Sequence, residues 1–129
     1  MNYKEQLHKI FHELFEVQKV DEKKIGEYFS PDYVQYADGE QLDYVSFLRH
    51  VLLVNEKIES CKVTFKTLIC EGDIVYSNHY VDAIMKSGVK ARHHVLAEFH
   101  FKDGKIIMCD ELSHLEKGDV ADANLASIN

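Results

Sequence analysis

The sequence predicts an α+β fold in which helices cover one face of a curved, mostly antiparallel sheet. Two observations carry that expectation. Apolar residues recur at three- and four-residue intervals up to about residue 58 and at two-residue intervals after it, so helices come first and strands second. In the strand half, Asp103-Gly104 lies between two alternating runs, the pairing expected of a tight type I′ hairpin turn. At 129 residues, with no repeat, low-complexity tract or linker, the chain has the length of one domain, residues 1–129, able to bury a core with a modest pocket.

Taken in order, Leu7, Ile10, Phe11, Leu14 and Phe15 form the apolar stripe of a first helix over about 2–18. Asp21 is placed to cap a short second helix, 22–28, which Ser30-Pro31 ends; Ile25, Tyr28 and Phe29 turn inward. Tyr33-Val34-Gln35-Tyr36 reads as a short strand, 33–36, stopped by Asp38-Gly39. A third helix, 43–58, starts at an Asp43 cap and carries Tyr44, Phe47, Leu48, Val51 and Leu52 on its inner stripe. Strands 61–70, 74–85, 89–102 and 105–115 follow, and residues 116–129 form a polar tail.

A two-residue loop at Asp103-Gly104 aligns Phe101 with Ile106, Phe99 with Met108, Ala97 with Asp110 and Val95 with Leu112 on one apolar face. The other face pairs Glu98 with Cys109 and Leu96 with Glu111, and sets His94 beside Ser113. A two-residue loop at Ser87-Gly88 would bring His79 opposite Leu96 and Ser77 opposite Glu98, on that same mixed, titratable face. Asp110 is out of place on the apolar side, where an unpaired carboxylate is costly. Either a bulge turns it outward, which would also move Glu111, or it pairs with His93 or His114.

The chain carries 22 acidic against 15 basic residues, a net charge of -7, which disfavours a nucleic-acid partner. Cys61, Cys70 and Cys109 are odd in number and lack C-x-x-C spacing, so they read as thiols of a reducing compartment. Met1-Asn2-Tyr3-Lys4-Glu5 has no apolar signal core and no run reaches membrane-spanning length; a cytoplasmic protein with no membrane partner is expected. Without a Gly-rich phosphate loop, a Gly-x-Ser-x-Gly elbow or a Cys-His nucleophile pattern, nucleotide and covalent chemistry are disfavoured, and no cofactor is expected. His93-His94 followed by Glu98 resembles a damaged cupin motif, but adjacent strand residues project to opposite faces. His79, His94, Glu98 and Glu111 have zinc-donor atoms that only chance proximity would assemble, so no metal is assigned.

The segments Ser30-Pro31-Asp32-Tyr33-Val34-Gln35, Glu71-Gly72-Asp73-Ile74-Val75, Ala97 through Ile106, and Asp110-Glu111-Leu112 with Glu116-Lys117-Gly118-Asp119 span nearly the whole chain. In that order and spacing they resemble the SnoaL-like branch of the nuclear transport factor 2-like superfamily, the cystatin-like α+β barrel. The resemblance implies a cone-shaped barrel, three N-terminal helices packed on a curved sheet, a cavity between them, and a homodimer through the outer face of the sheet. It does not choose among polyketide cyclases, ketosteroid isomerases, epoxide hydrolases, dehydratases and non-catalytic binding modules, so function must be argued from the site.

In SnoaL-like cyclases and the similar limonene-epoxide hydrolases, the position seven after the glycine of the Gly-Lys-Ile turn holds an Asp base; here it is Glu111. The resemblance further puts His79 where the epoxide hydrolases have a charge-positioning Arg, and Val81 where they have a second Asp. Tyr36 falls where many SnoaL-like sequences have His. These imply Glu111 as base, His79 as the group that polarises or positions a substrate, and Tyr36 as hydrogen-bond donor to a developing oxyanion. Each has a plainer reading: an interface carboxylate for Glu111, a structural polar network for His94 and Glu98, a wall aromatic for Tyr36. Tyr28, Tyr33, Phe47, Ser77, Val81, His94, Leu96, Glu98 and Cys109 complete the expected ligand contacts. The expectation is a cavity protein for a small apolar organic ligand, a cofactor-free isomerase, cyclase or dehydratase, or else a non-catalytic ligand-binding or dimerisation module.

Overall fold

The computed structural model describes residues 2–17 and 21–118. Helix α1 (Tyr3–Phe11) opens with Asn2 accepting from the Glu5 amide and runs into a π-helical stretch, His12–Val17. Helix α2 (Glu22–Tyr28) is capped by Asp21, which accepts from the Lys24 amide at 2.9 Å. Strands β1 (Phe29–Ala37) and β2 (Glu40–Asp43) form a hairpin about Asp38 and Gly39, whose φ values of 51° and 87° are the two positive angles a type I′ turn requires. Asp43 then caps α3 (Tyr44–Lys57) through the Ser46 amide at 2.8 Å. Strands β3 (Ile58–Glu71), β4 (Ile74–Met85), β5 (Lys90–Lys102) and β6 (Lys105–Lys117) complete the chain as a meander.

The six strands form one sheet in the order β2-β1-β6-β5-β4-β3, with β1 parallel to β6 and every other pair antiparallel. The three helices pack on one face of this curved sheet, as the sequence predicts, but β2 and β3 remain edges and the expected barrel does not close. The expected helix over 2–18 is α-helical only to Phe11, and residue 18 lies outside the described residues. β1 is longer than the expected 33–36 because Phe29 already pairs with Ile106, with an irregularity before Val34 that accommodates Pro31. β2 was not expected. Glu116 and Lys117 end β6 instead of belonging to a tail, and residues 119–129 lie outside the described residues.

Two register shifts decide what faces the helices. The link between β4 and β5 has three residues between its closing pair, since the Met85 amide donates to the Val89 carbonyl and Ile84 pairs with Lys90. His79 therefore faces Val95, not Leu96. In the β5–β6 ribbon the turn is as expected, Phe101 opposite Ile106, but the next pair is His100 with Met108, so Ile107 is a bulge. Beyond it Phe99 pairs with Cys109 and Ala97 with Glu111. This is the bulge that Asp110 called for, and it turns Asp110 outward.

The core follows from that register. Val75, Val95, Ala97, Phe99, Phe101 and Ile106 from the sheet meet Leu7, Ile10, Phe11, Leu14, Ile25, Phe47 and Val51 from the helices. Phe11 sits at its centre, 5.2 to 5.6 Å between ring centroids from Phe15, Phe65, His79 and Phe99.

Candidate functional site

The π-helical stretch, α3 and the helix-covered face of the sheet line a partly open cavity of about 100 Å³. Phe11, Leu14, Phe15, Phe29, Phe47, Val51 and Phe99 make most of its wall apolar. A few polar groups break that wall: Tyr33 and Gln35 on β1, Glu111 on β6, and His79 and His93 on β4 and β5, with His50 from α3. Cys61 and Cys109 also line it.

Glu111 and its partners come from the parallel β1–β6 pair, where Ala37 lies beside Glu111 and Gln35 beside Cys109. Tyr33 and Gln35, two apart on a strand, share a face and both turn inward. The Tyr33 hydroxyl donates to Gln35 Oε1 at 2.7 Å, and Gln35 Nε2 donates to Glu111 Oε1 at 3.1 Å. Burial of the carboxyl, reinforced by the Asp38 and Asp110 carboxylates, pushes the Glu111 pKa up to about 8. At pH 7 such a group is about nine-tenths protonated. The Tyr33 phenol is held well above its ordinary range by burial, then by Cys109 and Glu111. Burial likewise raises Cys109 well above an ordinary thiol and Cys61 to about 12, so neither sulfur offers a thiolate nucleophile at neutral pH.

His79 occupies the opposite wall. Its Nδ1 lies 2.9 Å from the buried Ser77 hydroxyl, and its ring stands edge-on to Phe11 and tilted against Phe65. Burial in this aromatic setting, helped slightly by His94, lowers its pKa to about 4, so the imidazole is neutral at pH 7. β5 separates it from Glu111: two strand spacings are about 9 to 10 Å and the two-residue offset adds about 7 Å along the strands. The two groups flank the hollow without touching through a direct hydrogen bond.

The structure thus brings His79, Glu111, Tyr33, Phe47, Val81 and Cys109 to one cavity. Ser77 lies behind His79. Tyr28 is buried but bonds the Glu13 carboxylate and does not line the cavity. The placement of His94, Leu96 and Glu98 is corrected by the register: they lie on the outer face, where His94 contacts Asn78 at 2.6 Å and Glu98 contacts His100 at 2.6 Å. Tyr36 is corrected by strand parity, since Tyr33 and Gln35 point inward and Tyr36 is 39% exposed. The chance zinc set is split by the sheet, with His79 and Glu111 inside and His94 and Glu98 outside. Among the described residues no group of three or more His, Cys, Asp or Glu is placed to hold a metal ion.

Gln35, His50, His93 and Cys61 were missed. Period two applied to Tyr33 would have found Gln35, and period 3.6 applied to Phe47 and Val51 would have found His50.

These features define a SnoaL-like domain of the α+β, nuclear transport factor 2-like fold. The chain belongs to the SnoaL-like domain family, whose model matches residues 9–108. An uncharacterized protein of Schizosaccharomyces pombe is 31% identical over 108 residues, covering 84% of this chain and 83% of that protein. Among solved structures, IdmH, a candidate polyketide cyclase from Streptomyces antibioticus, superposes with a TM-score of 0.70 at 15% identity over 87% of this chain and 92% of that one. An LEH-like epoxide hydrolase from M. tuberculosis gives 0.69 at 14% identity, over 92% and 84%. At such identities the superpositions speak for the fold alone.

Proposed function

We propose that this protein binds a small, mostly apolar organic molecule in the cavity and performs cofactor-free acid-base chemistry on it, of the isomerase, cyclase or dehydratase type. Glu111 moves the proton and His79, neutral and opposite, polarises or positions the substrate. The observation that carries the reading is the Glu111 carboxyl, its pKa raised to about 8 by burial, set among a few polar groups in a mostly apolar hollow. The cyclase and the epoxide hydrolase among its structural relatives are in keeping with it. Tyr36 has no part, because it faces away from the cavity. Epoxide hydrolysis by a two-carboxylate relay is disfavoured, since Val81 stands on the inner face where the second acid would be needed.

The cavity is small against the about 300 to 1,000 Å³ of most ligand pockets. It is also smaller than the cavity of about 150 Å³ that accepts benzene, so the ligand is compact, at most about one ring in size. The test is a screen of small cyclic ketones, enones and alcohols by NMR for binding and turnover. The reading expects Glu111→Gln to keep affinity and lose about 10² to 10⁴ in turnover. A ligand that binds both proteins with no turnover in either would leave the non-catalytic reading, and equal turnover in both would remove Glu111 from the chemistry.

The outer face of the sheet supports a homodimer. Lys90, Arg92 and Lys117 lie at one end, Leu96 opposite Leu112 in the middle, and Glu98 opposite Asp110 towards the other end. Leu112 is 63% and Leu96 38% exposed. Arg92 is already paired there with Asp82 and Glu116, so the contact rests on the leucines, which a twofold axis through the pair would stack on those of the other protomer. The cytoplasm is the proposed compartment, in keeping with the free thiols of Cys61, Cys70 and Cys109. Among the described residues no helix is long and apolar enough to cross a membrane.

A further inference from the structure

The cavity contains a hydrogen-bond chain whose direction can be read. The Tyr33 hydroxyl donates to Gln35 Oε1 at 2.7 Å and has the Cys109 thiol as its other neighbour within hydrogen-bond reach. With its carbonyl oxygen so engaged, the Gln35 amide presents Nε2 to Glu111 Oε1. An amide N–H can only donate, so Glu111 Oε1 must accept and cannot hold a proton along that line. Tyr33 is 2% exposed and stays protonated, so a reversed chain would have to turn its hydroxyl from the Gln35 carbonyl to the Cys109 thiol, a weaker acceptor.

We infer that Tyr33 and Gln35 are positioning residues for Glu111: their one-way chain confines the carboxyl proton to Oε2, so Glu111 meets its ligand as a hydrogen-bond donor to an oxygen atom. This deepens and rests on the reading of the cavity as a ligand site. It also revises the role that resemblance implies, since the resting carboxyl is an acid first and becomes a base only after giving its proton away. Asp38 and Asp110 bear on the carboxyl from the β1–β2 turn and from β6, and His79, His93 and His50 line the same hollow. A second anion beside those carboxylates is costly, so the ligand class is a neutral compact molecule with a carbonyl, ether or hydroxyl oxygen.

The inverted amide is the competing arrangement, and it has the opposite electrostatic sign. A donor from Gln35 favours ionised Glu111, whereas an acceptor from Gln35 would favour the protonated form. The experiment is a ¹³C-carboxyl NMR titration of the whole protein and of Gln35→Met, with Glu111→Gln to identify the resonance. Loss of the amide donor is expected to raise the Glu111 midpoint by about one unit, a tenfold gain in proton affinity. A lowered or unmoved midpoint overturns the assignment. Should Gln35→Met not fold, the unsubstituted protein still decides: the Gln35 Nε2 protons are expected to move downfield in step with Glu111 ionisation and to lose that pH dependence in Glu111→Gln. Gln35 protons that ignore the titration overturn it equally. Neither readout needs a ligand, so a failure here is separate from a failure of the proposed function, which Glu111→Gln turnover reads.

Discussion

Replacing Glu111 by Gln should change how stability depends on pH. In the folded protein the Glu111 pKa is raised from 4.5 to about 8. Below pH 4.5 both states are protonated and the shift has no effect. Between 4.5 and 8 the unfolded chain gives up the proton that the folded chain keeps, so stability falls by about 1.4 kcal/mol per pH unit, for a total of about 5 kcal/mol. His79 acts in the opposite sense. Its folded pKa is lowered from 6.5 to about 4, so the unfolded chain binds the extra proton in that window and stability rises by about 3 kcal/mol between pH 4 and 6.5. The two slopes nearly cancel from pH 4.5 to 6.5, and Glu111 alone acts from there to 8. Urea unfolding of the wild type and Glu111→Gln across pH 4 to 9 tests this, because groups common to both proteins drop out of the difference. Relative to the wild type, Glu111→Gln should gain about 5 kcal/mol between pH 4.5 and 8, and its own stability should climb through the His79 window. A difference that stays constant from pH 5 to 8 would refute the buried, proton-retaining carboxyl.

Phe11→Ala removes the ring around which Phe15, Phe65, His79 and Phe99 pack and should cost about 3 to 5 kcal/mol in urea unfolding at neutral pH. Ser77→Ala strips the buried imidazole Nδ1 of its hydroxyl partner and should cost about 1 to 3 kcal/mol, measured the same way. On the proposed dimer, Leu112→Lys should leave circular dichroism essentially unchanged while giving a monomer in light scattering and removing the concentration dependence of unfolding; an unaltered dimer would place the interface elsewhere.

The helices, their caps at Asp21 and Asp43, the Asp103-Gly104 turn and the α+β class were all legible, because each rests on local chemistry: periodicity, a capping carboxylate, two positive φ angles. The faces of the strands were not. A three-residue link at residues 86–88 and a bulge at Ile107 each displace a register by one, and neither has a distinctive residue signal. His79 and Glu111 still share a face because both moved by the same parity relative to β5, whereas His94, Leu96 and Glu98 on β5 itself were left outside. Asp110 held the only warning, a carboxylate that a regular ribbon would have buried. Gln35 was legible from Tyr33 by simple alternation, and Tyr36 was ruled out by the same rule. The open sheet was not legible, since closure depends on curvature accumulated over six strands and not on any one segment.

The titration midpoint of the Glu111 carboxyl, followed by ¹³C NMR in the ligand-free wild type, bears most directly on the acid-base reading of this cavity. A midpoint near 8 is predicted. A midpoint near the ordinary 4.5 would mean an ionised, solvated carboxylate at pH 7, and no acid in the cavity to do the chemistry.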